Sequence, residues 1–194
     1  MSFWDFFASI GPKLGMRREG FRQIFERLDQ IKNPVIIETG CVRRDDSWSS
    51  DGSSTRLFDA YIQTNGGRFI TIDIDPVSTA CAQRHCQVAK VITADSVETL
   101  KHLAETMKAD LLYLDSFDFE SRNPLPSARH HLQEIEAAEP MLKPETMIVV
   151  DDCFYREGKV NGKGALVSEF AAKHKLNPFL LDYQCGWTGY NAQK

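Results

Sequence analysis

The sequence predicts an α/β domain in which a mainly parallel sheet is covered by helices on both faces. Short apolar runs alternate with helical stretches from Pro34 onward, and strands connected through helices form parallel sheets with right-handed crossovers. The runs are apolar at consecutive positions and most are rich in β-branched residues. Continuous apolar runs are typical of strands that are buried on both faces.

Six apolar runs are predicted as strands, and the last begins an antiparallel pair at the C-terminal end. The runs cover residues 35–37, 69–72, 90–92, 111–114, 147–150 and 179–181. The predicted helices between them cover residues 54–63, 77–85, 97–107, 128–142 and 164–174. The antiparallel pair is predicted at 179–183 and 187–190.

The first 33 residues are predicted to form two helices ahead of the main domain at 34–194. Phe3, Phe7 and Ile10 recur at helical spacing, and Gly11-Pro12 ends that helix. A second apolar stripe predicts a helix over 19–31. We expect these helices to cap a substrate site or to contact a second subunit, within a single-domain protein.

Composition restricts the classes of function. The chain has 194 residues, of which 42% are hydrophobic and 26% charged, and its net charge is −4. An acidic chain lacks the overall basic field of a nucleic-acid-binding protein. No apolar run approaches the roughly 20 residues of a membrane span. The five cysteines form no CxxC pair, which indicates free thiols and a cytoplasmic location.

Acidic residues follow the first five predicted strands in succession. They are Glu38, Asp73, Asp95, Asp115 and the pair Asp151-Asp152. In open α/β sheets, ligands bind beyond the carboxyl ends of the strands, where the strand order reverses. The sequence therefore predicts a ligand site rich in carboxylates at that edge of the sheet.

The residue types at these strand ends favour a nucleoside with a positive charge. A carboxylate after the second strand, here Asp73, is the group expected to accept ribose hydroxyls. The turn at Gly40 lets the backbone approach a ligand closely, but it lacks the GxGxxG spacing that holds a pyrophosphate. An acid-rich pocket suits the amino group and sulfonium of S-adenosylmethionine better than it suits NAD.

At these positions the sequence resembles the class I S-adenosylmethionine-dependent methyltransferases, which have a Rossmann-like fold. The resemblance covers about residues 34–190 and is carried by Glu38-x-Gly40, Asp73, Asp95-Ser96 and Leu114-Asp115. It implies that Gly40 and Cys41 line the methionine moiety, Asp73 the ribose, and Asp95 and Ser96 the adenine. The complete set of predicted cofactor residues is Glu38, Gly40, Cys41, Ser54, Thr55, Asp73, Asp95, Ser96 and Asp115.

Among these enzymes the chain is most similar to the metal-dependent small-molecule O-methyltransferases of the catechol, macrolide-sugar and aminocoumarin-sugar types. The similarity implies that Asp115, Asp151 and Asp152 bind Mg²⁺, and residues 162–170 resemble the loop and helix that follow the metal ligands. Oxygen ligands from two strand ends can hold Mg²⁺, which acidifies a substrate hydroxyl. The alternatives are that Asp151-Asp152 is a helix cap or a turn, or that it contacts the substrate without a metal.

Three further features have two interpretations each. Asp118 is the predicted general base, or else a solvated loop acid. His130-His131 is interpreted as a surface pair, although the helix position allows it to reach the pocket. The polar insertion at 42–51 is either a lid in which Trp48 covers the pocket or a passive loop.

The predicted function is methyl transfer from S-adenosylmethionine to a hydroxyl of a small molecule, such as a sugar, assisted by Mg²⁺. The alternative is a non-catalytic nucleoside-binding module that regulates a partner. An NAD-dependent oxidoreductase is disfavoured because the glycine fingerprint is absent. The expected partner is a small-molecule acceptor, with no nucleic acid and no membrane, and homo-oligomerisation stays open.

Overall fold

The computed structural model describes residues 1–45, 47–49 and 53–191, and contains two sheets and seven α-helices in these ranges. The helices are α1 (Phe3–Ile10), α2 (Arg17–Leu28), α3 (Ser53–Asn65), α4 (Pro76–His85), α5 (Ser96–Ala104), α6 (Leu125–Ala138) and α7 (Ala165–Lys173). The strands are β1 (Val35–Thr39), β2 (Arg68–Asp73), β3 (Lys90–Thr93), β4 (Leu111–Leu114), β5 (Met147–Val150), β6 (Cys153–Arg156), β7 (Lys159–Gly162), β8 (Asn177–Leu181) and β9 (Cys185–Thr188).

The main sheet has seven strands in the order β3-β2-β1-β4-β5-β9-β8. The first five strands of this order are parallel, while β9 pairs antiparallel with both β5 and β8. The predicted fold class, a Rossmann-like parallel sheet with a C-terminal antiparallel pair, is therefore confirmed. The strand order reverses between β1 and β4, which places the expected ligand site at the carboxyl ends of these two strands.

Helices cover both faces of the sheet, as predicted, because alternate strand residues point to opposite sides. On one face Ile37, Leu112 and Ile148 pack in a cluster that includes residues of α5, α6 and α7. On the other face Ile36 and Leu111 pack in a cluster with residues of α1, α2 and α3. Both helices of residues 1–33 therefore belong to the hydrophobic core of this domain. Their function in capping a substrate or contacting a second subunit stays a prediction.

One hairpin was not predicted from the sequence. Strands β6 and β7 pair antiparallel in a separate small sheet, joined by a two-residue turn at Glu157-Gly158. Both turn residues have positive φ angles, 52° and 76°, which is the signature of a type I′ hairpin turn. The hairpin carries the chain from the end of β5 to Lys163, which lies in the site described below.

No helix in the described part of the chain is long and apolar enough to cross a membrane.

Candidate active site

A groove runs along the carboxyl ends of β1, β2, β4 and β5, at the point where the strand order reverses. It contains a first cavity of about 680 Å³ and a second of about 310 Å³. Asp73, Ile74 and Ser116 line both cavities, so the two form one continuous site. Its position agrees with the site expected for this sheet order.

The turn after β1 brings the backbone to the floor of the first cavity. Gly40 has a φ angle of 78°, and a Cβ at this position would lie 2.3 Å from the carbonyl oxygen of Asp115. Only glycine fits such a turn. The strand ends therefore approach each other more closely than side chains would allow, and Gly40 and Cys41 line the cavity.

Asp73 is held in place at the end of β2 by two backbone donors. Its Oδ2 accepts a hydrogen bond from the amide of Cys41 at 3.0 Å, and its Oδ1 accepts one from the amide of Asp75 at 2.9 Å. A carboxylate oxygen has room for a further donor. The carboxylate is therefore oriented at the junction of the two cavities and can accept hydrogen bonds from hydroxyl groups of a ligand.

Glu38, Ser54 and Thr55 lie behind the groove and line neither cavity. Thr55 and Thr71 donate hydroxyl hydrogen bonds to Glu38 Oε2 at 2.7 and 2.6 Å, and the nearby Ser54 also acts to lower the pKa of this carboxyl. Burial raises the pKa of Glu38 to about 8, against the effect of these hydroxyls. The sequence predicted these three residues as cofactor contacts, and that role stays a prediction. Thr55 Oγ1 also accepts a hydrogen bond from the amide of Val42 at 3.0 Å, close to the Gly40 turn.

The second cavity is formed around the start of α5. Asp95 Oδ1 accepts a hydrogen bond from the amide of Glu98 at 3.0 Å and so caps the helix. Ser96 Oγ lies 3.1 Å from His130 Nε2. Both predicted adenine contacts, Asp95 and Ser96, line this cavity together with Phe117 and His130.

The interpretation of His130-His131 as a surface pair is wrong. His131 is fully buried, and its Nδ1 lies 2.6 Å from the carbonyl oxygen of Ser127. His130 lies 3.3 Å from the buried carboxylate of Glu134. Helix α6 places the adjacent histidines in two different environments, because consecutive helical positions point about 100° apart.

The three aspartates that were predicted to bind Mg²⁺ come together at the other end of the groove, but their carboxylates face cations of the chain itself. Arg17 Nε lies 2.6 Å from Asp151 Oδ2, and another guanidinium nitrogen of Arg17 lies 3.0 Å from Asp152 Oδ1. Lys163 Nζ lies 2.6 Å from Asp115 Oδ1 and 3.0 Å from Asp152 Oδ2. The like charges that the sequence places side by side are thus neutralised internally.

Two tyrosines complete this cluster of acids. Tyr113 donates its hydroxyl to Asp151 Oδ2 at 2.8 Å and accepts a hydrogen bond from Gln184 Nε2 at 2.6 Å. Tyr183 donates its hydroxyl to Asp152 Oδ1. Asp151 Oδ1 accepts the amide of Asp152 at 2.8 Å, so both oxygens of Asp151 have partners inside the protein.

The charge states of the cluster follow from burial and proximity. Burial would lower the pKa of Lys163, but the neighbouring carboxylates outweigh it and hold this pKa above its usual range. Burial raises the pKa of Asp115 above its ordinary value, and the attraction of Lys163 acts against this rise. For Asp152 the attraction of Lys163, with the hydrogen bond from Tyr183 and the attraction of Arg17, exceeds the cost of burial and lowers the pKa.

The arrangement of these donors does not fit a bound Mg²⁺. The two oxygens of Asp151, the two of Asp152 and one of Asp115 already accept hydrogen bonds or salt bridges. A Mg²⁺ ion would require about 2.0–2.1 Å to each ligand oxygen, and the ammonium of Lys163 occupies the space between Asp115 and Asp152. The sequence pattern predicted the meeting of the three acids but not the cation between them.

The predicted general base Asp118 lies at the mouth of the first cavity. It lines the cavity, its side chain is about two-thirds exposed at 68%, and its Oδ2 accepts a hydrogen bond from Arg43 at 3.0 Å. Its function as a base stays a prediction.

The insertion at 42–51 contacts the groove through residues other than Trp48. The Trp48 ring packs 6.2 Å from that of Phe6 and lies under the guanidinium of Arg56 at 4.0 Å, outside both cavities. Arg43, Arg44 and Ser49 line the first cavity instead. The hypothesis of a Trp48 lid does not agree with this packing, and residues 46, 50 and 51 of the insertion lie outside the described residues.

Arg17 and Lys163 were not identified as site residues from the sequence. Arg17 lies 134 positions before Asp151, and no local pattern links the two. Lys163 has a local signal, since it stands between Gly162 and Gly164. A Cβ on Gly162 would lie 2.3 Å from the carbonyl oxygen of Asp152, so the glycine allows the backbone to pass close to the acids.

Comparison with known proteins identifies the family. A sequence profile of the family described as "Methyltransferase domain" matches residues 49–153, more than half of the chain. The chain belongs to this methyltransferase family. A search of curated protein sequences returned no match.

Solved structures show that this chain has the fold of several known methyltransferases. The methyltransferase MycE of mycinamycin biosynthesis, in complex with Mg, SAH and mycinamycin VI, has a TM-score of 0.60 and 15% identity over 91% of this chain. CalS11, described as a TDP-rhamnose 3'-O-methyltransferase of calicheamicin biosynthesis, has a TM-score of 0.59 and 15% identity over 87% of this chain and 76% of its own. A putative ribosomal RNA methyltransferase from Plasmodium falciparum has a TM-score of 0.56 and 13% identity over 89% of this chain and 97% of its own.

This chain spans only half the length of MycE. The structural match covers 91% of this chain and so includes most of its sheet and helices.

Proposed function

We propose that this methyltransferase transfers a methyl group from S-adenosylmethionine to a hydroxyl of a small molecule, with a sugar as one candidate acceptor. The single observation that carries the proposal is the position of Asp73 in a chain of this family. Its carboxylate lies between two connected cavities, at the strand end where class I folds bind nucleosides.

The proposed cofactor position follows the lining of the groove. Asp73 accepts the ribose hydroxyls, and Gly40 and Cys41 lie against the methionine part. The second cavity takes the adenine, between Asp95 and Ser96. Ile74 and Phe117, which line it, are 70% and 45% exposed, and a flat base would cover these apolar surfaces.

The proposed chemistry is a direct displacement. The acceptor oxygen forms a bond to the sulfonium methyl carbon, the carbon–sulfur bond breaks, and its electron pair stays on sulfur. The proton of the acceptor hydroxyl passes to a base, for which Asp118 at the mouth of the first cavity is the proposed residue. The residues of the groove contribute mainly by holding donor and acceptor in line.

A polar acceptor is supported by the lining of the first cavity. Arg43, Arg44 and Asp118 line it beside the acid cluster, and charged groups suit a ligand with several hydroxyls. MycE, whose structure contains mycinamycin VI, and CalS11, a TDP-rhamnose 3'-O-methyltransferase, act on ligands that agree with this class. Magnesium is not included in the proposal, because Lys163 lies between the predicted ligands.

Binding of S-adenosylhomocysteine, measured by isothermal titration calorimetry, tests the cofactor site. Asp73→Asn should weaken binding by roughly tenfold or more, because hydrogen bonds to a charged group contribute about 1.5–3 kcal/mol. Glu145→Gln is the matched control, since Glu145 is an exposed acid just before β5, away from the carboxyl ends of the strands. No binding to the unaltered protein at millimolar ligand would refute the proposal.

Turnover separates the enzyme from the alternative of a non-catalytic module. We expect methyl transfer from S-adenosylmethionine to at least one member of a panel of hydroxylated sugars and phenols, and Asp118→Asn should lower kcat. Tight binding of S-adenosylhomocysteine without turnover on any acceptor would support the nucleoside-binding module instead.

A further inference from the structure

Lys163 is a buried cation, and its own backbone and that of the glycines on either side make close contacts. Its side chain is only 2% exposed, and its amide donates to the carbonyl oxygen of Asp152 at 3.2 Å. Gly162 approaches that same carbonyl, and a Cβ on Gly164 would lie 2.6 Å from Cys153 Sγ. The backbone on both sides of Lys163 is therefore closely packed against the residues that follow β5.

Arg17 is the second cation of the cluster and comes from the opposite end of the chain. Its guanidinium contacts Asp151 and Asp152, donates to the carbonyl oxygen of Ser49 at 3.0 Å, and lies 4.7 Å from the ring centroid of Tyr183. These four neighbours thus accept hydrogen bonds or offer an aromatic face. A planar guanidinium suits such an enclosed site better than an ammonium does.

The two cations together carry the charge of one divalent ion. When ionised, Asp115, Asp151 and Asp152 contribute three negative charges, which Arg17 and Lys163 reduce to one net negative charge. A divalent ion on the same three acids would leave the same net charge. Arg17 and Lys163 therefore already neutralise the adjacent buried carboxylates, as a Mg²⁺ ion would.

From this geometry we infer that Arg17 and Lys163 take the place of a divalent ion, so that methyl transfer by this protein needs no added metal. The part of the inference about transfer rests on the proposed function, and the part about metal binding does not. An ammonium has three N–H donors, and those of Lys163 that face Asp115 and Asp152 leave one for the acceptor. Because Lys163 also lines the first cavity, this donor can orient the acceptor hydroxyl.

The test of metal binding uses Mn²⁺ in place of Mg²⁺, with electron paramagnetic resonance as the readout of free ion. In the unaltered protein the acid cluster should bind no Mn²⁺ at millimolar concentration, so any loss of the free-ion signal should come from elsewhere. Lys163→Met and Lys163→Gln should each bind Mn²⁺ roughly tenfold or more tightly, because the competing charge at contact distance is gone. Circular dichroism tests whether each variant is folded. If neither variant folds, Mn²⁺ binding by the unaltered protein decides the inference.

Two further variants locate any Mn²⁺ that the unaltered protein binds. Asp45, Cys81 and His85 form a second group of potential ligands on α4 and the insertion. Binding that disappears in Asp45→Asn and persists in Asp115→Asn belongs to that group and supports the inference. Binding that disappears in Asp115→Asn overturns it, because the ion then enters the acid cluster in the presence of Lys163.

Activity provides an independent readout. Turnover should be unchanged in EDTA, whereas loss of turnover in EDTA with recovery on adding Mg²⁺ would overturn the inference. If no acceptor is methylated under any condition, the proposed function fails, while the Mn²⁺ measurement still decides which cation the cluster holds.

Discussion

The two ends of the groove hold buried carboxylates with different kinds of cation. At the first cavity, Asp151 and Asp152 face Arg17 and Lys163, which keep their charge at any physiological pH. At the second cavity, the buried carboxylate of Glu134 faces His130 at 3.3 Å. Histidine changes its charge near neutral pH. The cations at one end of the groove therefore keep their charge, whereas the cation at the other end gains or loses its charge with pH.

The largest effect on stability is expected from removing Arg17. Arg17→Met leaves Asp151 buried without its cation, and breaking such a pair costs about 3–5 kcal/mol in the free energy of unfolding. Chemical denaturation measures this loss. Arg22→Met is the control, because Arg22 pairs with Glu19 and Glu26 on an exposed surface, where removal should change little. Equal effects of the two substitutions would contradict the permanent pairing at the first cavity.

A smaller loss of unfolding free energy is expected from a glycine substitution that displaces the backbone of Lys163. Gly158→Ala and Gly162→Ala both place a side chain at positive φ, which costs roughly 1–2 kcal/mol. The Cβ on Gly162 also meets the carbonyl of Asp152 at 2.3 Å, whereas nothing lies within 4 Å of one on Gly158.

We therefore expect Gly162→Ala to lose about 1–3 kcal/mol more than Gly158→Ala in the same denaturation experiment. Turnover should also fall only in Gly162→Ala, because only that substitution displaces Lys163. If the two variants have the same stability and activity, the hairpin does not position Lys163.

At the second cavity we expect the pair of His130 and Glu134 to make the stability of the protein depend on pH. The hydrogen bond with Glu134 raises the pKa of His130, although burial acts against it. For Glu134, burial would raise the pKa, but the hydrogen bond from His130 and the attraction of both histidines lower it below its ordinary value. A raised histidine pKa stabilises the fold below the unfolded value, 6.5, and this contribution is lost as the pH rises through the folded value.

His130→Gln should therefore reduce the fall in unfolding free energy between mildly acidic and alkaline pH. The contribution of Glu134 is present above its unfolded value, 4.5, and is lost as the pH falls through its folded value. His102→Gln is the control, since His102 is 80% exposed. If the unfolding free energy of His130→Gln varies with pH in parallel with that of the unaltered protein, the pair of His130 and Glu134 does not cause the pH dependence.

The smallest effect is expected from Trp48→Ala. Trp48 packs against Phe6 and Arg56 outside both cavities, so KM and kcat should be nearly unchanged. Phe119→Ala is the comparison, because Phe119 lines the first cavity and its removal should raise KM. A larger increase in KM for Trp48→Ala than for Phe119→Ala would restore the hypothesis that the insertion closes over the site.

Much of the fold could be predicted from local patterns. Apolar runs and helical stretches alternate along the chain, and this order predicts the parallel sheet, the final antiparallel pair and the edge where ligands bind. Strand-end residues such as Asp73 and Asp95 could be placed because the carboxyl ends of parallel strands meet at one edge. The β6–β7 hairpin was missed, since its strands are short and half-exposed and its turn at Glu157-Gly158 is the main signal.

The order of apolar runs and strand-end residues is enough to predict the sheet, the position of the groove and the meeting of Asp115, Asp151 and Asp152. The cations that face those acids become visible only in the folded protein. The reason is physical: strand order follows from local hydrophobic patterns, whereas the partner of a buried charge is set by contacts between segments far apart in the chain. Arg17 from α2 and Lys163 from the end of β7 reach the same acids, and that juxtaposition exists only once the chain has folded.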